Sequence, residues 1–255
     1  MRLVSLCPSL TELLFDLGLG SSIVGRTKFC VHPEGAVDAV EKVGGTKNPR
    51  LERIIELRPD LVLLNEEENR REDADALSAA GISCHVSLPR DPAETAGMVR
   101  SIGAAVQRVP EAEVIARDIE HRAARVSKDA IDKPQVSFAY LIWRDPLMTV
   151  NADTFVSSLL ALPGGRNVFG DMADRYPTID VDHLEATDPD LVLLSSEPFP
   201  FVDRHAQELA RSTGLPLERF VFVDGELLSW HGSRTPAGID YGETLIDAAR
   251  QGSGG

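Results

Sequence analysis

Residues 51–66 read LERIIELRPDLVLLNE, and residues 184–197 read LEATDPDLVLLSSE. Each stretch consists of a short amphipathic segment, a Pro-Asp pair and an apolar run that ends in polar residues. A proline disfavours helix in the residue before it, and an apolar run is typical of a parallel strand covered on both faces. The copies lie about 130 residues apart, far beyond the period of a solenoid. The repeat therefore predicts two similar α/β lobes.

The sequence around the first copy alternates between strand and helix patterns. Residues 2–6 predict a strand, and Ser9 with Glu12 predicts a capping box at the start of a helix. From Pro110 to Lys128 the spacing is helical, and about 18 residues at 1.5 Å each would extend roughly 27 Å. We predict an α/β fold with two Rossmann-like lobes, each with a mostly parallel sheet, joined by this single long helix, with a ligand cleft between the lobes. The expected domains are residues 1–108, 109–130 and 131–250.

Composition narrows the function classes. The chain has 255 residues, 43% hydrophobic and 26% charged, with a formal net charge of −14. This acid excess argues against nucleic acid as a partner, because phosphate binding needs a concentrated basic face. No apolar run approaches the roughly 18 residues of a membrane span. Three cysteines without a closely spaced pair argue against a disulfide framework.

Several motifs together resemble the helical-backbone, or class III, substrate-binding proteins of ABC importers. The motifs are LVSLCPSLTE at 3–12, VGRT at 24–27, VGGTKNP at 43–49, GGRN at 164–167, WHGSR at 230–234 and PDLVLL in both repeats. That family serves importers of cobalamin, haem and iron–siderophore complexes. One position departs from it: cobalamin carriers often place an aromatic residue where the first repeated strand ends, and this chain has Asn65 there.

The resemblance implies a ligand held by loops of both lobes. The expected ligand-binding residues are Cys7, Pro8, Ser9, Phe29, Cys30, His32, Trp143, Arg144, Tyr176, Trp230, His231 and Arg234. The aromatic members suit a flat, partly apolar ring system, and the arginines suit carboxylate or phosphate groups. It also implies surface glutamates that dock onto an importer permease, with Glu68, Glu72 and Glu197 as candidates. A solvated acidic loop is the alternative for these glutamates.

Cys30 and His32 carry the sharpest chemistry on residue type alone. A thiolate and an imidazole are both good ligands for a soft or borderline metal, although a complete zinc site needs several ligands. The alternative is that Cys30 packs as a small apolar residue. The chain has no P-loop and no Gly-x-Ser-x-Gly elbow. We therefore expect a protein that is not an enzyme.

The sequence predicts a solute-binding protein that captures a metal-containing small molecule for ABC-type uptake. A corrinoid is the first choice, and a ferric siderophore or haem is the second. The alternative is a cytosolic enzyme or sensor that uses the same cleft with Cys30 and His32. We expect no intrinsic cofactor and a monomer. The location is periplasmic or at the cell surface if a leader was removed, and cytoplasmic if Met1 is the native start.

Overall fold

The computed structural model describes residues 1–252. Contacts between residues divide the chain into two compact units. The first unit comprises Met1–Pro89, Glu94–Asp118 and His231–Arg234, and the second comprises Arg90–Ala93, Ile119–Trp230 and the chain from Thr235 onward. The domain bounds expected from the sequence stay a prediction.

The first unit is built on a four-stranded parallel sheet. Its strands are β1 (Leu3–Ser5), β2 (Ile23–Arg26), β3 (Leu61–Asn65) and β4 (Cys84–Ser87), in the order β2-β1-β3-β4. The accompanying helices are α1 (Pro8–Asp16), α2 (Leu51–Glu56), α3 (Arg71–Ala79) and α4 (Pro92–Ala105). All five residues of β3 are buried, as expected for a strand flanked by two others and covered on both faces.

Helix α5 (Val109–Asp129) leads into the second unit, which also has a four-stranded parallel sheet. Its strands are β5 (Val136–Leu141), β8 (Gly165–Asn167), β9 (Leu191–Ser195) and β10 (Phe220–Val223), and β6 (Trp143–Arg144) pairs antiparallel with β7 (Leu147–Met148). The helices are α6 (Phe155–Ala161), α7 (Val181–Thr187), α8 (Asp203–Thr213), α9 (Gly225–Ser229) and α10 (Thr235–Gly252).

The repeat found in the sequence is reproduced in the topology. The second sheet has the order β8-β5-β9-β10, so β5, β8, β9 and β10 occupy the places that β1, β2, β3 and β4 occupy in the first. The two repeated strands, β3 and β9, are therefore equivalent. Arg58 and Asp188, which precede the proline of each Pro-Asp pair, both have positive φ, at 47° and 39°. The predicted fold of two similar lobes with parallel sheets and one long helix is confirmed.

Two local expectations were wrong or incomplete. The predicted capping box at Ser9 does not form, because α1 begins two residues earlier than expected, with Cys7 in place of Ser9 as the N-cap residue and Pro8 as its first residue. Proline suits that position since the first amides of a helix have no partner within it. Residues 143–148 form a short hairpin that the sequence did not predict. Among the described residues, no helix is both long and apolar enough to cross a membrane.

Candidate functional site

In each sheet the direction in which successive strands are added reverses once. In the first sheet the chain passes from β1 to its neighbour β2 and then crosses back to β3 on the other side of β1, so the reversal lies between β1 and β3. The same reversal occurs between β5 and β9 in the second. Ligands of open parallel sheets bind outside the carboxyl ends of the strands at such a reversal. The loops that follow these four strands are therefore the first place to look for a site.

All four strands of the first sheet end in a buried polar residue: Ser5, Arg26, Asn65 and Ser87. Their hydrogen bonds go mainly to backbone groups at that edge of the sheet, and Asn65 also contacts the side chain of His231. Ser5 donates to Cys7 O at 3.1 Å, and Ser87 donates to Leu64 O at 3.3 Å. Buried polar groups are stable only when paired, so these contacts fix the loops that follow the strands.

Asn65 organises the loop after β3. Its Oδ1 accepts hydrogen bonds from the backbone amides of Glu67 and Glu68, at 2.9 and 3.2 Å. Its Nδ2 donates to Ser87 O at 3.1 Å and lies 3.3 Å from Nε2 of His231. Burial lowers the pKa of His231 to about 4, so the imidazole is neutral at physiological pH. The His231 ring is thus part of the first unit's polar edge.

Cys7, Pro8 and Ser9 form the start of α1, directly after β1. The Cys7 thiol lies 3.4 Å from the Ser9 hydroxyl, and both side chains are buried. Burial, together with the nearby carboxylate of Glu68, raises the pKa of Cys7 to about 12. The thiol therefore stays protonated at neutral pH, and the thiolate that a nucleophile or a metal ligand requires is disfavoured.

The segment after β2 turns Cys30 inward and Phe29 outward. Cys30 is 0% exposed, its sulfur lies 3.1 Å from the Thr27 hydroxyl, and burial raises its pKa. Phe29 is 50% exposed, with the Lys28 ammonium 4.8 Å from its ring centroid. His32 is half-buried. Cys30 thus shows the packing expected of a small apolar residue, while Phe29 offers an aromatic face.

The described residues contain no group of three or more His, Cys, Asp and Glu side chains suited to hold a metal ion. The metal-ligand role of Cys30 and His32 stays a prediction. The thiolate is the ligating form of cysteine, and burial disfavours it at Cys30.

Arg234 belongs to the first unit, where its guanidinium pairs with the carboxylate of Glu12 on α1. Gly232, two residues earlier, has a φ of 116°, a backbone conformation that residues other than glycine rarely adopt. A Cβ built on it would lie 3.7 Å from Cβ of Leu13. Gly232 and Arg234 therefore pack against α1.

In the second unit, Trp143 and Arg144 lie on the short hairpin after β5. Trp143 is 39% exposed, donates from Nε1 to Asp145 O at 3.0 Å, and meets the Phe199 ring edge-on at 5.6 Å between centroids. Phe199 in turn contacts Phe201 at 4.9 Å and His205 at 5.2 Å. These side chains form an aromatic cluster at the carboxyl ends of β5 and β9.

Arg144 pairs with Glu208 of α8, and its Nε is buried without a hydrogen-bond partner among the described residues. Tyr176 is exposed, in a segment whose backbone accepts hydrogen bonds from Thr149 and Asn151. Both side chains are partly exposed and are therefore accessible to a bound molecule.

Trp230 differs from the other predicted aromatic residues because it is only 8% exposed. Its indole Nε1 donates to Glu197 Oε1 at 2.7 Å, and the Ser229 hydroxyl donates to the same oxygen at 3.1 Å. Glu197 and Trp230 were expected to have separate roles, in docking and in ligand binding. The structure joins them in one hydrogen-bonded group.

The two other candidate docking glutamates differ in environment. Glu72 is exposed in the first turn of α3. Glu68 is half-buried, and burial raises its pKa, an effect that Lys47 and a hydrogen bond with Thr46 partly oppose. Glu72 is the more accessible of these two carboxylates.

The candidate site residues expected from the sequence did not include Arg26, Asn65, Asn69 or Phe199. A usable signal was present for Arg26 and Asn65, each a polar residue at the end of a buried strand. Asn69 lies four positions beyond β3 without such a signal; its Nδ2 donates to Leu6 O and Thr46 O, both at 3.0 Å, and so ties three loops together. Phe199 had no such signal, because its position depends on the fold of the loop after β9.

A family model described as "Periplasmic binding protein" matches residues 3–215. The vitamin B12-binding protein of Yersinia pestis is 28% identical over 197 residues, which covers 76% of this chain and 69% of that protein. The vitamin B12-binding protein of Vibrio campbellii is 25% identical over 205 residues, with 80% and 71% covered.

Two solved structures share the fold. The periplasmic vitamin B12 binding protein of Vibrio cholerae has a TM-score of 0.84 at 20% identity, with 98% of both chains covered. The periplasmic haem-binding protein of Roseiflexus sp. RS-1, in its apo form, has a TM-score of 0.84 at 24% identity, with 97% of this chain and 98% of that chain covered. At these identities the likeness establishes the fold and leaves the ligand open.

Proposed function

The chain belongs to the periplasmic binding protein family, and from that membership we propose that it captures a metal-containing small molecule for uptake by an ABC importer. A corrinoid is the first choice of ligand, and haem or a ferric siderophore is the second. The observation that carries the proposal is that relatives named as vitamin B12-binding proteins align with 76 to 80% of this chain. The ligand would be cargo, with no intrinsic cofactor and no catalytic step.

The exposed aromatic residues support a flat, partly apolar ligand. Phe29 in the first unit lies in the loop that follows β2, and Trp143 in the second lies on the hairpin that follows β5. Aromatic rings bury a large area against a planar macrocycle at little cost in conformational entropy. Arg144 adds a charged donor, since its side chain is partly exposed and a guanidinium can form paired hydrogen bonds with a ligand carboxylate or phosphate. The remaining predicted ligand contacts, and the predicted ligand cleft, stay predictions.

The proposal includes a permease partner, a monomeric state and a location outside the cytoplasmic membrane. The family description, periplasmic binding protein, supports that location. Of the three candidate docking carboxylates, Glu72 is exposed, whereas Glu197 accepts hydrogen bonds from Trp230 and Ser229. We place the docking role first at Glu72.

A titration of the purified protein with cyanocobalamin, cobinamide, haemin and a ferric siderophore tests the proposal. Calorimetry would measure each dissociation constant, and tryptophan fluorescence would provide a second readout. We expect micromolar or tighter binding of one class, with a corrinoid as the strongest candidate. If no compound binds at micromolar concentration, the proposed function is wrong. Chromatography of the recovered ligand distinguishes a receptor, which returns it intact, from an enzyme acting on it.

A matched pair of variants links binding to the proposed surface. Phe29→Ala removes an exposed aromatic ring from the loop after β2 and should weaken binding by about fivefold or more, the effect of losing an aromatic anchor worth about 1 kcal/mol. Val114→Ala removes an exposed apolar side chain from α5 and should leave the dissociation constant unchanged. Equal effects of the two substitutions would argue against Phe29 as a ligand contact.

A further inference from the structure

Arg26 is the largest fully buried side chain of the protein's described residues, at 2% exposure. Its Nε donates to Val37 O at 2.9 Å, and its Nη1 donates to Cys30 O at 2.8 Å and Thr27 O at 3.4 Å. Asp38, the nearest acid, lies 3.8 Å from Nη2 and is itself largely exposed. The buried charge is therefore solvated mainly by the carbonyl groups of one loop.

A buried guanidinium is costly to desolvate, so it persists only where its donors are met. Here the three carbonyls all belong to the segment 27–37 that follows β2. The planar fork of arginine fixes the directions of its donors, whereas a lysine ammonium is a point charge on a flexible stem. Arg26 consequently ties both ends and the middle of this segment to the end of the strand.

Neighbouring side chains of segment 27–37 differ in exposure to solvent. Cys30 faces inward, while its neighbours Phe29 and Val31 are 50% and 49% exposed. The Phe29 ring lies beside the glycine loop after Val43, because a Cβ built on Gly45 would be 3.5 Å from Cε2 of Phe29. The segment bound by the buried Arg26 thus exposes two apolar side chains, Phe29 and Val31, to solvent.

We propose that Arg26 is a positioning residue for ligand binding, which fixes the 27–37 segment so that Phe29 and Val31 form an apolar platform for the ring of the ligand. The claim about the ligand rests on the proposed function, whereas the claim about the segment rests on the contacts of Arg26 alone. The two claims therefore have separate tests.

The segment is tested without ligand by measuring how fast N-ethylmaleimide labels each cysteine, with digestion and mass spectrometry to resolve the sites. Arg26→Lys keeps the charge but loses the fork. We expect it to raise the labelling rate of Cys30 by about tenfold or more through local opening, while the rate of Cys7 changes less than about twofold. Cys7 is the internal control, because it is also buried in the first unit but follows β1.

Two results overturn the proposal: equal acceleration at Cys7 and Cys30, which indicates general loosening of the unit, and no acceleration at Cys30. If Arg26→Lys does not fold, native-state hydrogen exchange of the wild-type protein replaces it. The amides of Cys30 and Val37, which donate to Thr27 O and Pro33 O, should then exchange about tenfold or more slowly than the amide of Glu34. Equal exchange rates would overturn the proposal.

A double-mutant cycle tests the link to the ligand identified by the titration. If Arg26 acts through the platform, Arg26→Lys should weaken binding about fivefold or more in the wild-type background and much less in the Phe29→Ala background. Additive losses would overturn the positioning role. If no compound of the panel binds, the proposed function is wrong while the labelling result still decides whether Arg26 holds the segment.

Discussion

His231 illustrates how a single buried side chain couples stability to pH. Its imidazole lies in the first unit beside Asn65, and burial lowers its pKa to about 4 from the ordinary 6.5. In the unfolded chain the same group takes up a proton near its ordinary pKa. Between these two values the unfolded state binds more protons, so the free energy of unfolding falls as the pH falls from about 6.5 towards 4.

We therefore expect His231 to contribute a loss of about 2.5 kcal/mol in the free energy of unfolding between about pH 7.5 and about pH 4.5. His231→Gln keeps a polar partner for Asn65 but removes the titration, so this variant should show a correspondingly weaker pH dependence. Urea denaturation of both proteins at the two pH values measures the difference. Parallel pH dependence in the two proteins would contradict the assignment.

For Asn65, the sequence revealed an unusual residue but not its hydrogen-bond partners. Its polarity at the end of an apolar strand was visible, and the resemblance to cobalamin carriers marked it as a departure. Its role was not visible, because its partners Ser87 and His231 are 22 and 166 positions away. Local pattern indicates that a residue is unusual, whereas the fold decides which groups it meets.

Two glycines of α4 provide a matched experiment at the scale of an element. A Cβ on Gly97 would have no neighbour within 4 Å, whereas one on Gly103 would lie 2.2 Å from Cβ of Ala112 on α5. Gly97→Ala should raise the free energy of unfolding by about 0.5–1 kcal/mol, since alanine is the better helix former. Gly103→Ala should lower it by about 1–3 kcal/mol, because α4 and α5 must move apart.

Denaturant unfolding of the two variants and the wild type measures both effects. The same substitution in one helix should change stability in opposite directions, which helix propensity alone does not predict. If both variants were stabilised by similar amounts, the close packing of α4 against α5 at Gly103 would be contradicted.

Helix α10 is held against the second half of α5 by a network of ion pairs. Arg125 contacts Asp240 at 3.0 Å and Glu243 at 2.9 Å, and Arg122 also pairs with Asp240. Because Arg125 is partly exposed, we expect Arg125→Ala to lower the free energy of unfolding by only about 1 kcal/mol at low salt. The loss should shrink in about 1 M NaCl, which screens the network.

Lys128→Ala on the same helix is the control for Arg125→Ala, since Lys128 is exposed and outside the network. Chemical denaturation at low and high salt measures the free energy of unfolding of each protein. A loss for Arg125→Ala that is independent of salt would show that packing of its aliphatic stem, and not charge, holds the two helices together.

The elements that sequence predicted well are those with a sustained pattern. The apolar runs at 61–64 and 191–194 and the helical spacing of 110–128 gave β3, β9 and α5 within a residue of their bounds. The hairpin at 143–148 was missed because each of its strands has two residues, too few to show a period of two. The Ser9 capping box failed because Pro8 is itself a good first residue of a helix.

At the scale of the whole molecule, the fold was predictable because the sequence contains two copies of the same helix–strand unit, at 51–66 and 184–197. Two copies of one unit predict two sheets of the same order, and the structure has them. The binding surface was only partly predictable. His231–Arg234 packs with the first unit although it follows nearly all of the second along the chain, and no local pattern encodes such a return.

Ligand binding has a consequence for the stability of the whole chain that tests the proposed function independently of calorimetry. A ligand that binds only the folded protein raises its free energy of unfolding by about 2.7 kcal/mol at 100 times its dissociation constant, and by about 4.1 kcal/mol at 1,000 times. The corrinoid should therefore raise the denaturation midpoint steadily with the logarithm of its concentration. Phe29→Ala should shift that dependence to higher concentration by the factor lost in affinity. Stabilisation that is equal for all four compounds, or independent of concentration, would contradict specific binding.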